Sequence, residues 1–159
     1  MSRTLQITIP DGAIARHGGY VYLIYSPEFG AVYVGQTAAR SGALGRLSQH
    51  LGDSNTNSFR QNLGRYFHYQ EVDLEKVEFA SVPLSQRSEF QGKGRVYRES
   101  VEYLVQTALV KYIHFHEIRA VIVSNVRFNA YCELPFVEEE ADTVITQLSA
   151  WLFIVASSA

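Results

Sequence analysis

The chain has 159 residues, 47% of them hydrophobic and 19% charged, which excludes a disordered segment and suits one folded domain with its own core. Its net charge of −2 runs against a nucleic-acid binder that relies on an overall basic field, because phosphate neutralisation dominates that kind of affinity. The charge is uneven: Arg40, Arg46, Arg60, Arg65, Arg87, Lys93, Arg95 and Arg98 crowd the middle, while Glu138, Glu139, Glu140 and Asp142 gather near the end, so a basic central face remains open to a phosphate substrate.

In chain order, residues 4–9 alternate apolar and polar and predict a strand, with glycine breaks at 12 and 18–19 closing a linker. Residues 20–25 (YVYLIY) are continuously apolar and rich in β-formers, which predicts a strand buried on both faces. Pro27 and Gly30 mark a turn, and residues 31–35 (AVYVG) return as the second strand of an antiparallel hairpin. Leu44, Leu47 and Leu51 share one face of a helix over 42–51, and a second helix is predicted over 58–69. Residues 77–82 form a third strand, and the polar stretch 86–93 is expected to be a mobile loop. The longest helical pattern runs from 95 to 112, with Val101, Leu104, Val105, Ala108 and Leu109 at helical spacing. A short strand at 120–123 and a helix at 142–154 complete the chain. The expected class is α/β (α+β): a small central antiparallel sheet of three strands flanked by helices, with an added C-terminal strand and helix. The organisation reads as an extension over 1–18, a core over 19–116 and a C-terminal addition over 117–159 packed on the same domain.

The single cysteine, Cys132, excludes an internal disulfide and suits a reducing compartment. The first ten residues carry no signal-peptide pattern, and the longest apolar run, 150–156, is too short for a bilayer. A cytoplasmic chain with no membrane partner is expected. His114, His116 and Cys132 lack the second close pair that a zinc site needs.

Four features stand in a fixed order. Gly19-Tyr20-Val21-Tyr22 opens the first strand, and Tyr33-Val34-Gly35-Gln36-Thr37 ends the second. Arg46 and His50 follow one helical turn apart, and a glutamate, Glu99 or Glu102, lies on the long helix. This set resembles the GIY-YIG nuclease superfamily, in its homing and restriction branch, over roughly residues 19–112. The first motif departs from the family by one extra residue; Tyr22 takes the place of the family's first tyrosine, with Tyr20 its rival on the same sheet face. Glu102 is preferred to Glu99. At 100° per residue Glu99 falls nearly opposite the apolar stripe, towards water, whereas Glu102 sits at the stripe's edge, where a ligand is better preorganised.

The resemblance implies metal-dependent hydrolysis of phosphodiester bonds, with DNA the preferred substrate and a ribonuclease as the same-class alternative. Glu102 would hold a divalent ion, Mg²⁺ or Mn²⁺, as few protein ligands suffice for such an ion. Tyr33 would activate the water as general base or orient it, which requires a nearby cation because a phenol ordinarily titrates near pH 10, and Tyr22 would belong to the same catalytic set. Arg46 would contact phosphate oxygens with a fork of donors, and His50 would relay a proton or hold the phosphate. Gly35, Gln36, Thr37 and Arg40 would line the substrate path. The family's asparagine has no counterpart directly after the long helix; Asn125 is taken as its substitute, the alternatives being Asn129, His114 or a role that is absent. Family members take specificity from a further targeting domain, a partner protein or a homo-oligomer, and the apolar run Trp151-Leu152-Phe153-Ile154-Val155 suits such a contact. Taken singly, each residue has a plainer reading: Tyr22 and Tyr33 as sheet packing, Arg46 and His50 as a solvated helix face, Gly35 as the end of a strand, Glu102 as a surface partner of Arg98. An inactive binding or interaction module of the same fold is the alternative function.

Overall fold

The computed structural model describes residues 7–52, 57–68, 74 and 76–159. The strand expected over 4–9 lies largely outside the described residues; 7–9 are exposed and in no regular element. The hairpin forms as its apolar run demands: β1 (Tyr20–Ser26) pairs antiparallel with β2 (Ala31–Thr37), and β1 is buried along its whole length. Gly30 supplies the left-handed backbone of the turn, φ 57°. Helices α1 (Gly42–Leu51) and α2 (Ser58–Phe67) follow, α2 ending one residue before a left-handed His68. Then β3 (Glu78–Pro83) pairs antiparallel with the other edge of β1. The 21-residue α3 (Arg95–Phe115), the short β4 (Val121–Ile122) and the 23-residue α4 (Pro135–Ser157) complete the chain. The sheet order is β3-β1-β2-β4, three antiparallel strands with β4 added parallel to β2. The class is α+β, and among the described residues no helix is long and apolar enough to cross a membrane.

Strand alternation divides the apolar residues between the sheet's two faces. Val21, Leu23, Tyr25, Val32 and Val34 join Val101, Val105 and Leu109 of α3 and Val144, Leu148 and Leu152 of α4 in the larger cluster. Tyr22, Ile24 and Tyr33 face the other way, onto Leu47 of α1 and Phe59 and Leu63 of α2.

Three expectations need correction. Residues 86–93 are not a loose loop: a 3-10 turn spans Ser88–Phe90 and drives Phe90 to complete burial, so one aromatic anchors an otherwise polar stretch. Helix α4 begins at Pro135, seven residues before the expected start, because a proline at the first helical position needs no amide partner and Glu138 follows in the first turn. Helix α3 continues to Phe115, three residues past the expected end, and so carries His114. The apolar C-terminal run splits: Leu152 is buried with Trp151 and Val155 packed alongside, while Phe153 and Ile154 are exposed.

Candidate active site

β4 pairs with Ala31 and Val32, so among the described residues the far half of β2 has no strand beside it on that edge. Beyond that half, β2, α1, α3 and the segment 124–129 enclose an open cleft of about 460 Å³. Its walls bring together Tyr22, Tyr33, Gly35, Gln36, Arg46, Glu102 and Asn125 from the expected set.

Tyr22 is the best anchored of these. It stands directly opposite Gly35 in the hairpin register, and its ring lies over that glycine so closely that any Cβ there would overlap it. Gly35 is therefore not the end of a strand, which runs on to Thr37; it is the gap that Tyr22 fills. The Tyr22 hydroxyl accepts from Arg46 Nε at 3.3 Å and lies 2.8 Å from His50 Nε2. Burial and then the charge of Arg46 push the His50 imidazole down to about 4. A neutral ring accepts at one nitrogen only, and in the tautomer protonated at Nδ1 the relay runs from Arg46 to Tyr22 to His50. Its end is closed off: His50 is 1% exposed and does not line the cleft. It holds Tyr22 from behind, and the expected contact with a phosphate is corrected accordingly. Tyr20, the rival, donates its hydroxyl to the carbonyls of Ala13 and Arg16 and clamps the N-terminal turn instead.

Tyr33 stacks beside Tyr22, ring centroids 6.5 Å apart, and its hydroxyl is 3.0 Å from Ser58 Oγ at the start of α2. Asn57, just before it, caps that helix through Arg60 N and bonds the carbonyls of His50 and Gly52, tying α1 to α2. Burial raises the proton affinity of both phenols above the ordinary value, outweighing the nearby Arg46. Each is thus a neutral hydroxyl at neutral pH, able to donate and orient; Arg46 is the nearby cation expected for Tyr33, and its charge does not offset the burial.

Glu102 projects from the edge of α3 into the cleft and is half-buried. Among the described residues no donor or cation pairs with its carboxyl. Burial, and then the neighbouring Glu99, raise it to about 8, against the opposing charges of Arg95 and Arg46. A carboxyl in that condition is short of positive charge. Glu99 also lines the cleft, held 2.7 Å from Arg95 Nε, so the reading that turned it towards open water is corrected. No group of three or more His, Cys, Asp and Glu able to hold a metal occurs among the described residues. The donors present, one carboxylate with a second three residues away, suit a hard ion that takes one or two carboxylates and keeps its waters, not a zinc cage.

The structure separates the remaining candidates. Gln36 accepts from Arg98 Nε at 2.9 Å, and Arg98 is buried, also donating to the carbonyls of Phe90 and Gly92. Arg98 is therefore a strut under the cleft, and the surface pair with Glu102 is not formed. Thr37 is buried, its hydroxyl accepting from Ala39 N, and Arg40 is exposed; neither lines the cleft. His114 is exposed and does not line it either. Asn129, the second asparagine candidate, lines the cleft, but its carbonyl is engaged by Ser100 Oγ and Tyr131 N. Sequence reasoning missed Arg95, Arg127 and Phe128, which also line the cleft. The only trace of them was the basic crowding near residue 95. No protein-family model, curated protein or solved structure matches the chain.

Proposed function

We propose that the chain is a metal-dependent phosphodiesterase of the GIY-YIG type that cuts within nucleic acid, DNA first. One observation carries this reading: Tyr22, Tyr33, Arg46 and Glu102, which match the family's motifs and come from four separate elements, line a single cleft. Arg46, Arg95 and Arg127 give that cleft a local positive wall despite the negative total. Glu102 would hold a divalent ion, Mg²⁺ or Mn²⁺, which when bound supplies Lewis-acid stabilisation of the phosphate charge. Arg46, fixed by Tyr22 and Gln49, presents guanidinium donors to phosphate oxygens. The Tyr33 hydroxyl, steadied by Ser58, orients the attacking water. Asn125 is exposed at the rim and serves as the amide that positions substrate.

The test is nicking of supercoiled plasmid by the 159-residue chain and by Glu102→Ala, in Mg²⁺ or Mn²⁺ and in EDTA. Cleavage by the wild type alone, and only with metal, supports the reading. Equal cleavage by both proteins removes Glu102 from the chemistry. No cleavage of DNA, with cleavage of RNA, makes the chain a ribonuclease; cleavage of neither leaves the inactive binding module in its place. Specificity would come from a partner protein, a further domain or self-association.

A further inference from the structure

We infer that Phe128 is a stacking platform for an unpaired nucleobase beside the phosphate held in the cleft, a reading that rests on the nuclease assignment. Phe128 is 55% exposed, on a segment whose backbone is held in place. The chain around it has no regular structure but is pinned at three points. Ser124 Oγ accepts from Val34 N at 3.1 Å, Gln106 Oε1 accepts from Val126 N at 3.3 Å, and Asn129 Oδ1 accepts from Ser100 Oγ at 2.8 Å. Tyr103 of α3 meets the ring at 74°, centroids 5.6 Å apart, which fixes its plane and leaves an open face. A preset, exposed aromatic loses little freedom when a flat partner covers it.

The surroundings select the partner. A protein-binding core surrounds its aromatic anchors with apolar groups and excludes charge. Here the cleft that Phe128 lines also carries Arg127, Asn125 and Asn129, Arg95 paired to Glu99, and Glu102, with Val96 and Val126 as its aliphatic members. Arg127 and Asn125 make no hydrogen bond or ion pair to any described residue and are exposed. An aromatic ring for a base face, a free amide for a base edge and free guanidinium for the adjoining phosphate form one complementary set. In a duplex both faces of a base are covered by its neighbours, so the base that reaches Phe128 is unpaired, extruded or at a strand end. Single-stranded regions and junctions are therefore the substrates this cleft favours over continuous duplex.

The test is fluorescence anisotropy with a labelled mixed-sequence single-stranded DNA oligonucleotide and with its blunt duplex, at low salt in EDTA, which keeps binding separate from cleavage. Phe128→Ala is expected to weaken single-strand binding roughly tenfold, the loss of one base stack, and to leave duplex binding unchanged. Phe128→Trp is expected to restore the single-strand affinity. Equal loss on both DNAs, no loss on either, or a wild type that does not bind the single strand overturns the inference. The two readings fail separately. A Phe128-dependent single-strand affinity in a chain that cuts nothing leaves the base site standing and removes the nuclease; plasmid cleavage with a Phe128-independent affinity does the reverse.

Discussion

The two faces of the sheet are built from the same two strands yet follow different rules. The face under α3 and α4 is lined by aliphatic side chains such as Val21, Leu23, Val34, Val105 and Leu148. The face under α1 and α2 carries rings, hydroxyls and an imidazole: Tyr22, Tyr33, His50 and Phe59. Alternation along β1 sends neighbours to opposite sides, so Val21 seals one core while Tyr22 lines the cleft. Tyr22, Tyr33, His50 and Glu102, whose proton affinities are all displaced chiefly by burial, sit on or beside the second face. The first face supplies rigidity. The second is where burial displaces proton affinities, and at neutral pH it is the Glu102 carboxyl whose form that displacement changes.

Substitutions can break this contrast, and the largest expected effect is on the cleft. Glu102→Ala should lower cleavage by about 10³-fold or more, the several kcal/mol that a bound metal contributes, while the protein remains folded by circular dichroism. On the aliphatic face Leu109, fully buried in α3, should show the opposite profile. Leu109→Ala should cost about 3 kcal/mol in urea unfolding through the cavity it leaves, with cleavage per folded molecule unchanged. If that variant loses activity while its stability holds, the separation of roles between the faces is wrong.

Gly35→Ala joins the two properties, because a methyl group there must displace the Tyr22 ring. A loss of about 2 kcal/mol from overpacking is expected, with cleavage falling as Tyr22 leaves Arg46 and His50. Unchanged thermal unfolding would show that the ring is not seated on the glycine.

The smallest effect concerns pH. Glu102 titrates near 8 in the folded chain against an ordinary value of 4.5, so the folded form holds more protons between those limits and stability falls as pH rises through them. Glu102→Gln removes that dependence. It should raise stability at pH 8 by on the order of 1–3 kcal/mol, a range that allows for partial solvent access, and should change nothing at pH 4. In the wild type, divalent metal should recover the same stability at pH 8 and have no effect on the variant. A Glu102→Gln chain less stable than wild type at pH 8, followed by thermal melting, would show that the carboxylate is compensated in some other way.

Local signals were legible where they depend on near neighbours. The continuous run at 20–25 announced β1, Gly30 the turn, and the 3.6-residue spacing from Val101 to Leu109 the long helix. The ends of elements were less so: a proline start moved α4 forward, and a single buried Phe90 turned an expected loop into an anchored turn. In the cleft, Tyr22, Tyr33, Arg46 and Glu102 were readable as candidates because motif order is a property of the chain. For His50 the phosphate contact failed and the contact to Tyr22 that a proton relay needs is present, because helical spacing says which face a residue shares but not what lies in front of it. Arg98 was misplaced for the same reason: its polar partners, Gln36 and the carbonyls of Phe90 and Gly92, come from outside its own helix.

The sequence by itself determined the hairpin, the α+β class and the candidate tyrosines, arginine and glutamate, since periodicity and turn chemistry act over a few residues. Tertiary structure alone decided that β4 stops after two residues, that the 124–129 segment is pinned beside the opening, and that Arg95, Arg127 and Phe128 meet Glu102 there. It also decided the proton affinities. A carboxyl near 8 and an imidazole near 4 follow from how much water each group has lost, and that is set by segments far away along the chain.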